Sequence, residues 1–323
     1  MILAADIGGS KTLVGYFAVE RPRPRLVRVH SVRTLDYDDL PSLLSAALGP
    51  IDPRVSVVAL GVAGPVVDGQ VTMTNVPWRV RAAEVVAATG VPHLRLLNDL
   101  EAMACAVPVL TADELRTLQA GTPNPHGNAA LIAAGTGLGE AILHRVNGRL
   151  LPVPSEAGHS DFAARTDDEL ALVRHIRAEI GRVDIERVVS GIGLVHVATF
   201  FHGGDRCEVA GVFAAPGGTA QVSAAAAAGT CRQCARTLDL FVEAYGAEAG
   251  NLALRAVATA GLFVGGGIAP RVLPLVERRF MGPFLDKAPM AALLRSVPVH
   301  VILNDQAALV GAAVAGLDLV SPH

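Results

Sequence analysis

The sequence predicts an α/β protein of two domains. Its 323 residues exceed the roughly 150 that one domain commonly holds. Two glycine turns lie far apart in the chain, and short apolar segments flank each of them as in β-hairpins. Their recurrence suggests two related domains that face a common cleft. A third observation is Asn98-Asp99, a polar pair at the end of an apolar strand, where α/β sheets bind their ligands.

The first hairpin is predicted over Ile2–Ala18. Ile2–Ala5 is apolar, Ile7–Ser10 forms the turn, and Thr12–Phe17 is rich in β-branched and aromatic residues. Walker A loops and dinucleotide-binding fingerprints need a helix directly after their glycines. A strand follows here, so both motifs are excluded. The backbone amides of such a turn can still bind an anion.

The rest of the first domain is predicted to alternate strands, turns and a helix. These are a strand over Val55–Leu60, a hairpin around Asp68-Gly69, a strand over His93–Leu97 and a helix over Leu100–Val107. The carboxylate of Asp99 lies between the last two. A general base between two phosphate-type turns suggests phosphoryl transfer to a hydroxyl group.

The second domain is predicted to open with the second hairpin, whose strand Asn128–Ala134 precedes a turn at Gly135–Gly139. Thr166–Gly181 is the best-marked helix, because Thr166 and Glu169 form a capping-box pattern and glycine suits a helix end. Two features close the chain: a strand over Ala256–Val264 leading into Gly265–Gly267, and a strand over Val299–Leu303 followed by Asn304-Asp305 and an alanine-rich helix. We expect that helix to complete the first domain, which gives residues 1–109 plus 298–323 for the small domain and 110–297 for the large one.

Composition excludes several classes of protein. The chain is 51% hydrophobic and 18% charged, which is typical of a soluble globular enzyme. A net charge of −3 gives no general attraction to nucleic acid or to anionic membranes. Val209–Thr230 has no charged residue, but its glycines, its proline and its high alanine content do not suit a membrane span. No secretion signal is evident at the amino terminus, so we expect a cytoplasmic protein.

The cysteines give no clear metal site in the sequence. Cys231 and Cys234 form a C-x-x-C pair, while Cys105 and Cys207 are isolated. A structural zinc site needs four ligands, normally including a second pair at defined spacing, and no second pair is evident. Helix packing is therefore expected for Cys231 and Cys234, with metal binding or redox chemistry as alternatives.

The residues alone leave the role of Asn98-Asp99 open. Both types are preferred helix caps, and Asn304-Asp305 stands in the same strand, pair and helix context. Glu156 and His159 have the i, i+3 spacing of metal ligands or of a surface pair. Spacing does not choose among these interpretations.

Three glycine signatures in order resemble the sugar kinase/Hsp70/actin superfamily, which has a ribonuclease H-like fold of two domains. They are D-I-G-G-S from Asp6, A-G-T-G-L-G from Ala134 and V-G-G-G-I-A-P-R from Val264. A finer resemblance is to bacterial glucokinases of the proteobacterial type. It rests on L-L-N-D-L-E-A, S-E-A-G-H-S-D-F, E-R-V-V-S-G-I-G-L and N-L-A-L, which begin at Leu96, Ser155, Glu186 and Asn251.

The resemblance implies an interdomain active-site cleft, ATP with Mg²⁺ as donor and glucose as acceptor. It implies that Asp99 is the catalytic base and that Asp6 orients Mg²⁺ through water. The residues implied to hold the glucose hydroxyls are Asn98, Glu156, His159 and Glu186. Those implied to contact ATP are Asp6, Gly8, Gly9, Ser10, Thr136, Gly137, Gly265, Gly266 and Gly267.

Several alternatives remain at this stage. At the position of Lys11, glucokinases of the proteobacterial type usually have asparagine. The G-G-S-K turn of this chain instead resembles the related repressor/open-reading-frame/kinase (ROK) family, so polyphosphate is an alternative donor. Lys11 either contacts a phosphate or is solvated. Mannose or an N-acetylhexosamine is an alternative acceptor, and a non-catalytic sugar- or nucleotide-binding regulator is an alternative of another class. By family analogy we expect a homodimer.

Overall fold

The structure is a computed structural model that describes residues 1–73, 76–153 and 155–320. The chain forms two compact units. Among the described residues, the first comprises 1–73, 76–114, 150–153 and 304–320, and the second comprises Leu115–Arg149 and Ser155–Leu303. The domain boundaries predicted from the sequence lie several residues before these, and residues 321–323 of the predicted small domain lie outside the described residues.

The chain alternates strands and helices from its first residues. In order, the elements before the first boundary are β1 (Ile2–Ile7), β2 (Lys11–Ala18), β3 (Arg25–Arg33), α1 (Leu40–Leu48), β4 (Val57–Val62), β5 (Val66–Val67), β6 (Gln70–Thr72), β7 (Arg79–Arg81), α2 (Ala82–Thr89), β8 (Leu94–Asn98) and α3 (Asp99–Ala106).

The remaining elements form longer runs of strands and of helices. They are β9 (Leu115–Gln119), β10 (Ala129–Ala134), β11 (Leu138–Val146), β12 (Arg149–Val153), α4 (Asp167–Ile180), α5 (Gly191–His202), β13 (Arg206–Cys207), β14 (Gly211–Val212), α6 (Gly218–Ala227), α7 (Arg232–Ala256), β15 (Gly261–Gly265), α8 (Leu273–Arg279), α9 (Met281–Leu285), α10 (Ala291–Ser296), β16 (Val299–Ile302) and α11 (Ala307–Val320).

The two units repeat one sheet topology. In the first, the strand order is β3-β2-β1-β4-β8, with β1 antiparallel to β2 and parallel to β4, and with β4 parallel to β8. In the second, β11-β10-β15-β16 are neighbours with the same directions. Both predicted hairpins, and the expectation of two related α/β halves, are therefore confirmed.

The last helix, α11, belongs to the first unit. It packs against α3 so closely that Gly311 lies against the carbonyl of Ala102 and leaves no room for a side chain. The strand before it, β16, instead pairs with β15 and β9 of the second sheet. For this reason the observed boundary falls after Leu303.

The helix α7 is the central support of the second unit. Most of its residues are buried, and Tyr245 lies beneath the sheet. The Tyr245 hydroxyl accepts the N–H of Ala134 (3.1 Å) and lies 3.2 Å from the carbonyls of Ile132 and Gly265. One side chain thus holds the carboxyl ends of β10 and β15, from which the second and third glycine signatures extend.

Two predicted elements differ from the structure. The strand predicted from Ala256 begins only at Gly261, because α7 continues to Ala256 and ends at Val257, whose φ of +47° is left-handed. The capping box of α4 is half formed. Thr166 accepts the N–H of Glu169 (3.2 Å), but the Glu169 carboxylate accepts from Arg165 instead of from the cap residue.

The alanine-rich stretch predicted to be no membrane span contains β14 and α6. Within the described part of the chain, no helix combines the length and the hydropathy that crossing a membrane requires.

Candidate active site

Asp99 is the first residue of α3, directly after the carboxyl end of β8. Strand register aligns Asp6 with Gly61 of β4, and Gly61 with Leu97 of β8. A Cβ at Gly61 would lie 2.8 Å from the Cβ of Ala102. The missing side chain therefore lets α3 begin close against the sheet, which holds Asp99 at the edge where β1, β4 and β8 end.

Asn98 caps α3 and is held on both sides of its amide. Its Oδ1 accepts the N–H groups of Leu100 (2.9 Å) and Glu101 (3.3 Å), and its Nδ2 donates to the carbonyl of Gly64 (3.1 Å). The Leu100 N–H also donates to Oδ1 of Asp99 (2.8 Å). Capping and a functional role are therefore compatible here, since one Nδ2 hydrogen is used by Gly64 and the amide carries two.

The second polar pair has different surroundings. Asn304 accepts the N–H of Gln306 (2.8 Å), and its Nδ2 donates to Glu114, a carboxylate that also pairs with Arg23. These contacts support the interpretation of Asn304 as a structural turn residue. The tertiary contacts separate the two pairs, which spacing in the sequence did not.

Asp6 is a half-buried carboxylate beside other charges. Burial, and then the negative charge of Asp99, raise its pKa from 3.8 to about 7, while Lys11 opposes the shift. Charges from α3 and from β2 thus act on this carboxylate of β1. Two neighbouring carboxylates of this kind suit a divalent cation, because the cation relieves their repulsion.

Hydrogen bonds from the turn itself and from Thr34 fix the first glycine turn. The N–H of Gly8 donates to the carbonyl of Lys11 (3.1 Å), which closes the hairpin. Thr34 donates its hydroxyl to the carbonyl of Gly8 (2.8 Å) and its N–H to that of Ser10 (3.2 Å). Thr34 also contacts Thr12, hydroxyl to hydroxyl, at 2.9 Å. No sequence motif marks Thr34, which sequence reasoning missed.

The second glycine turn adjoins a helix amino terminus. The N–H of Gly135 donates to Gly137 (2.9 Å), and the N–H of Gly191, the first residue of α5, donates to the carbonyl of Gly135 (2.8 Å). Ser190 caps α5 by accepting the N–H of Gly193 (2.9 Å). Backbone N–H groups at such a terminus attract phosphate, so this turn suits an anion.

Glu186 and His159 lie against the same turn. Oε2 of Glu186 accepts the N–H of Leu138 (2.8 Å), and a Cβ at Gly137 would lie only 2.5 Å from that oxygen. The Nδ1 atom of His159 lies 3.4 Å from Oδ2 of Asp184 and 4.0 Å from Oε1 of Glu186. A cluster of two carboxylates and an imidazole is thus joined to a phosphate-type turn, and Asp184 is a member that the sequence motifs did not indicate.

Glu156 shares a short turn with His159. The carbonyl of Glu156 accepts the N–H of His159 (3.1 Å), and both side chains are exposed. Gly158 between them packs against the carbonyl of Leu138, and its own carbonyl accepts the N–H of Glu186 (2.9 Å). The i, i+3 pair is therefore fixed by its backbone to the Glu186 cluster.

A cavity of about 1410 Å³ in the second unit adjoins the second glycine turn. Its walls come from the turn, the start of α5, the helix α6 and the segment after β15. Lining residues include Gly135, Thr136, Gly191, Thr219, Ser223, Gly267, Arg271 and Arg278. Thr136 and Gly267, which lie in two separate signatures, thus line one volume. Gly266, at φ +82°, instead packs against the carbonyl of Ala134.

Comparison with known proteins agrees with these features. A family model described as Glucokinase matches residues 3–318. The chain is 34% identical over 339 residues to a glucokinase of Nostoc punctiforme, with 99% of each chain covered. The solved glucokinase of an Antarctic psychrotroph matches with a TM-score of 0.83 at 32% identity, covering 98% of both chains.

A more distant solved structure shares the fold alone. The ROK family glucokinase of Streptomyces griseus, in complex with glucose and AMPPNP, has a TM-score of 0.66 at 21% identity and 98% coverage of both chains. The predicted sugar kinase fold and the resemblance to bacterial glucokinases are confirmed. The chain belongs to the glucokinase family.

Proposed function

We propose that this protein is a glucokinase, which transfers the γ-phosphoryl group of ATP to the 6-hydroxyl of glucose. The products are glucose 6-phosphate and ADP. Asp99 carries the proposal: it is a carboxylate at a strand end, it neighbours Asp6, and it lies in a chain that the glucokinase family model matches from residue 3 to 318.

Asp99 acts as the general base. It accepts the proton of the 6-hydroxyl as that oxygen bonds to the γ-phosphorus and the bond from phosphorus to the leaving β-phosphate oxygen breaks. The Leu100 N–H at 2.8 Å fixes the orientation of the carboxylate. General-base assistance of this kind contributes about 10²- to 10⁴-fold in rate.

Asn98, Glu156, His159 and Glu186 bind the sugar hydroxyls. A hydroxyl both donates and accepts, so carboxylates, an amide and an imidazole together can bind several of them. Asp184 orients His159: with Nδ1 donating to this carboxylate, Nε2 is left as an acceptor. Sites that hydrogen-bond each hydroxyl reject analogues that lack one.

The donor is ATP with Mg²⁺. The turn at Gly135–Gly137 and the amino terminus of α5 suit its phosphates, and the adjoining cavity is large enough for a nucleoside. Asp6 would hold Mg²⁺ through water, and the paired carboxylates of Asp6 and Asp99 fit a cation there. When bound, Mg²⁺ neutralises charge on the phosphates.

The decisive experiment measures ADP release from MgATP against a panel of hexoses. We expect release with glucose, and release that is equal with and without sugar would refute the kinase assignment. Faster turnover with mannose or an N-acetylhexosamine would assign a different sugar as the acceptor. Turnover with polyphosphate in place of ATP would assign polyphosphate as the donor. Sugar binding without turnover would indicate a regulator.

A matched pair of variants tests the base. Asp99→Asn should retain glucose binding by calorimetry and lose about 10²- to 10⁴-fold in kcat. Asp305→Asn, in the second polar pair, should keep near wild-type kcat. Full activity of Asp99→Asn would assign the base to another residue.

Two further properties are proposed by family analogy. We expect a homodimer, which light scattering coupled to size-exclusion chromatography will measure. We also expect a cytoplasmic enzyme, because that compartment supplies ATP, and cell fractionation tests this.

A further inference from the structure

A second cluster of chemically active side chains lies in the segment between α5 and α7. His202 is the last residue of α5, Cys207 lies in β13, and Cys231 and Cys234 lie at the start of α7. The ligand atoms of these four residues all lie within 4.8 Å of one another. The sequence shows no second pair of ligands beside Cys231 and Cys234, but folding brings His202 and Cys207 to them.

Four of the six distances between the ligand atoms match the edges of a tetrahedral zinc site, and all six are within 4.8 Å. Zn–S bonds of about 2.3 Å and Zn–N bonds of about 2.0 Å give tetrahedral edges of about 3.8 Å between sulfurs and about 3.5 Å between sulfur and nitrogen. The Sγ of Cys207 lies 3.7 Å from that of Cys231 and 3.9 Å from that of Cys234. The Nε2 of His202 lies 3.5 Å and 3.8 Å from the same two sulfurs.

The surroundings orient these atoms as metal ligands need. Nδ1 of His202 lies 2.8 Å from the carbonyl of Ala198, so it serves as the donor and Nε2 faces the cysteines. Outer-shell bonds of this type fix the tautomer of zinc-bound histidines. The N–H of Val209 lies 3.4 Å from Sγ of Cys207, and the N–H of Cys234 lies 3.4 Å from Sγ of Cys231. Both are donors that stabilise thiolates.

A disulfide explains the cluster less completely. The nearest sulfurs are 3.7 Å apart, well beyond the roughly 2.05 Å of an S–S bond. One disulfide would also use only two of the three cysteines, which leaves the third thiol and the imidazole of His202 without a role in the cluster. A zinc ion uses all four ligand atoms.

We propose that His202, Cys207, Cys231 and Cys234 bind one Zn²⁺ ion tetrahedrally. Since the protein supplies all four ligands, the site is structural and has no open position for substrate. Cys207 and Cys234 are buried, while His202 and Cys231 are partly exposed and give the ion a route of entry.

Zinc would also stabilise one wall of the cavity beside the second glycine turn, where the nucleoside of ATP is proposed to bind. It joins the end of α5 to the start of α7, and the segment between them contains α6, whose Thr219 and Ser223 line the cavity. The apolar cluster beneath α6 consists of small side chains around Phe213. A core of this size contributes little stability, and metal ligation adds to it. Zinc therefore holds α6, which forms one wall of the cavity, in position.

Zinc content tests the site independently of the proposed function. Wild-type protein, expressed with zinc and kept reduced, should contain about one zinc per chain by plasma mass spectrometry. Cobalt exchange should give the thiolate charge-transfer and visible bands of tetrahedral Co²⁺. Folded wild-type protein that binds neither ion, or that forms a disulfide within this cluster, would overturn the proposal.

Variants separate ligation from simple packing. Cys231→Ser and His202→Ala should lose the zinc, whereas His202→Cys should retain it because four thiolates also bind zinc. Cys105→Ser lies outside the cluster and should keep full occupancy. Should Cys231→Ser or His202→Ala fail to fold, the wild-type cobalt spectrum and the His202→Cys variant still decide the result.

The effect on nucleotide binding rests on the proposed function and has its own measurement. Chelation of the zinc should raise KM for ATP several-fold and leave glucose affinity by calorimetry nearly unchanged. Zinc loss without any change in KM for ATP would refute the role of zinc at the α6 wall while leaving the metal site intact.

Discussion

Glu140 is a buried acid that should make stability depend on pH. It lies in β11 with no exposed surface, facing Glu248 of α7, and Arg255 approaches its Oε2 at 3.5 Å. Burial, and then the charge of Glu248, raise the pKa of Glu140 from 4.5 to about 8, although Arg255 opposes the shift. The folded state therefore holds a proton that the unfolded chain releases above pH 4.5.

The direction of the effect follows from that difference. The contribution of Glu140 to the free energy of unfolding is fully present below about pH 4.5. It is lost as pH rises toward 8, because the folded state binds more protons than the unfolded chain over this range. A shift of this size corresponds to roughly 5 kcal/mol in the free energy of unfolding. We expect urea unfolding to show about 2–5 kcal/mol of this loss between pH 4.5 and pH 8.

The perturbation is Glu140→Gln, which keeps the shape and removes the titration. Urea unfolding at several values between about pH 5 and pH 9 should show that the variant loses less stability with rising pH than the wild type. Near pH 8 and above, the variant should be the more stable protein. The exposed Glu84→Gln serves as control and should follow the wild-type curve. Parallel curves for wild type and Glu140→Gln would refute the reasoning.

Two further substitutions test the glycine turns. Gly137→Ala should raise KM for glucose about tenfold, because the new Cβ would lie 2.5 Å from Oε2 of Glu186 and displace it; steady-state kinetics will measure this. Thr34→Val should raise KM for ATP several-fold and cost about 1 kcal/mol of stability, because the hydroxyl bond to Gly8 (2.8 Å) is lost; kinetics and urea unfolding will measure both.

Matched controls accompany these two changes. A Cβ at Gly135 meets no atom within 4 Å, so Gly135→Ala should keep the wild-type KM for glucose. Thr89 donates its hydroxyl to the carbonyl of Val85 (2.8 Å), so Thr89→Val removes a comparable bond elsewhere and should leave KM for ATP unchanged. An unaltered KM in both test variants would remove the support for these turn contacts.

Local patterns explain which elements the sequence predicted well. Both hairpins follow from apolar segments on either side of a glycine turn, and the caps at Asn98 and Thr166 follow from neighbouring residues. The strand predicted from Ala256 starts too early, because α7 runs to Ala256 and residues 257–260 turn before β15 begins. These small, mostly apolar residues carry no local signal that separates a turn from a strand.

Local patterns do not predict contacts between residues that are far apart in the chain. Thr34 fixes the first turn, Tyr245 joins two strand ends, and Asp184 contacts His159, yet none lies in a recognisable motif. Each acts on a backbone or side chain of another element. Only the folded chain reveals that proximity.

The sequence by itself determined the alternating strands and helices, the two glycine turns and the family, because each depends on residues close together in the chain. Only the tertiary structure decided that Cys207 joins Cys231 and Cys234, since β13 and α7 must pack first. It also decided that Glu140 loses its water and meets Glu248. Ligand geometry and desolvation depend on distances in space, which the order of residues does not specify.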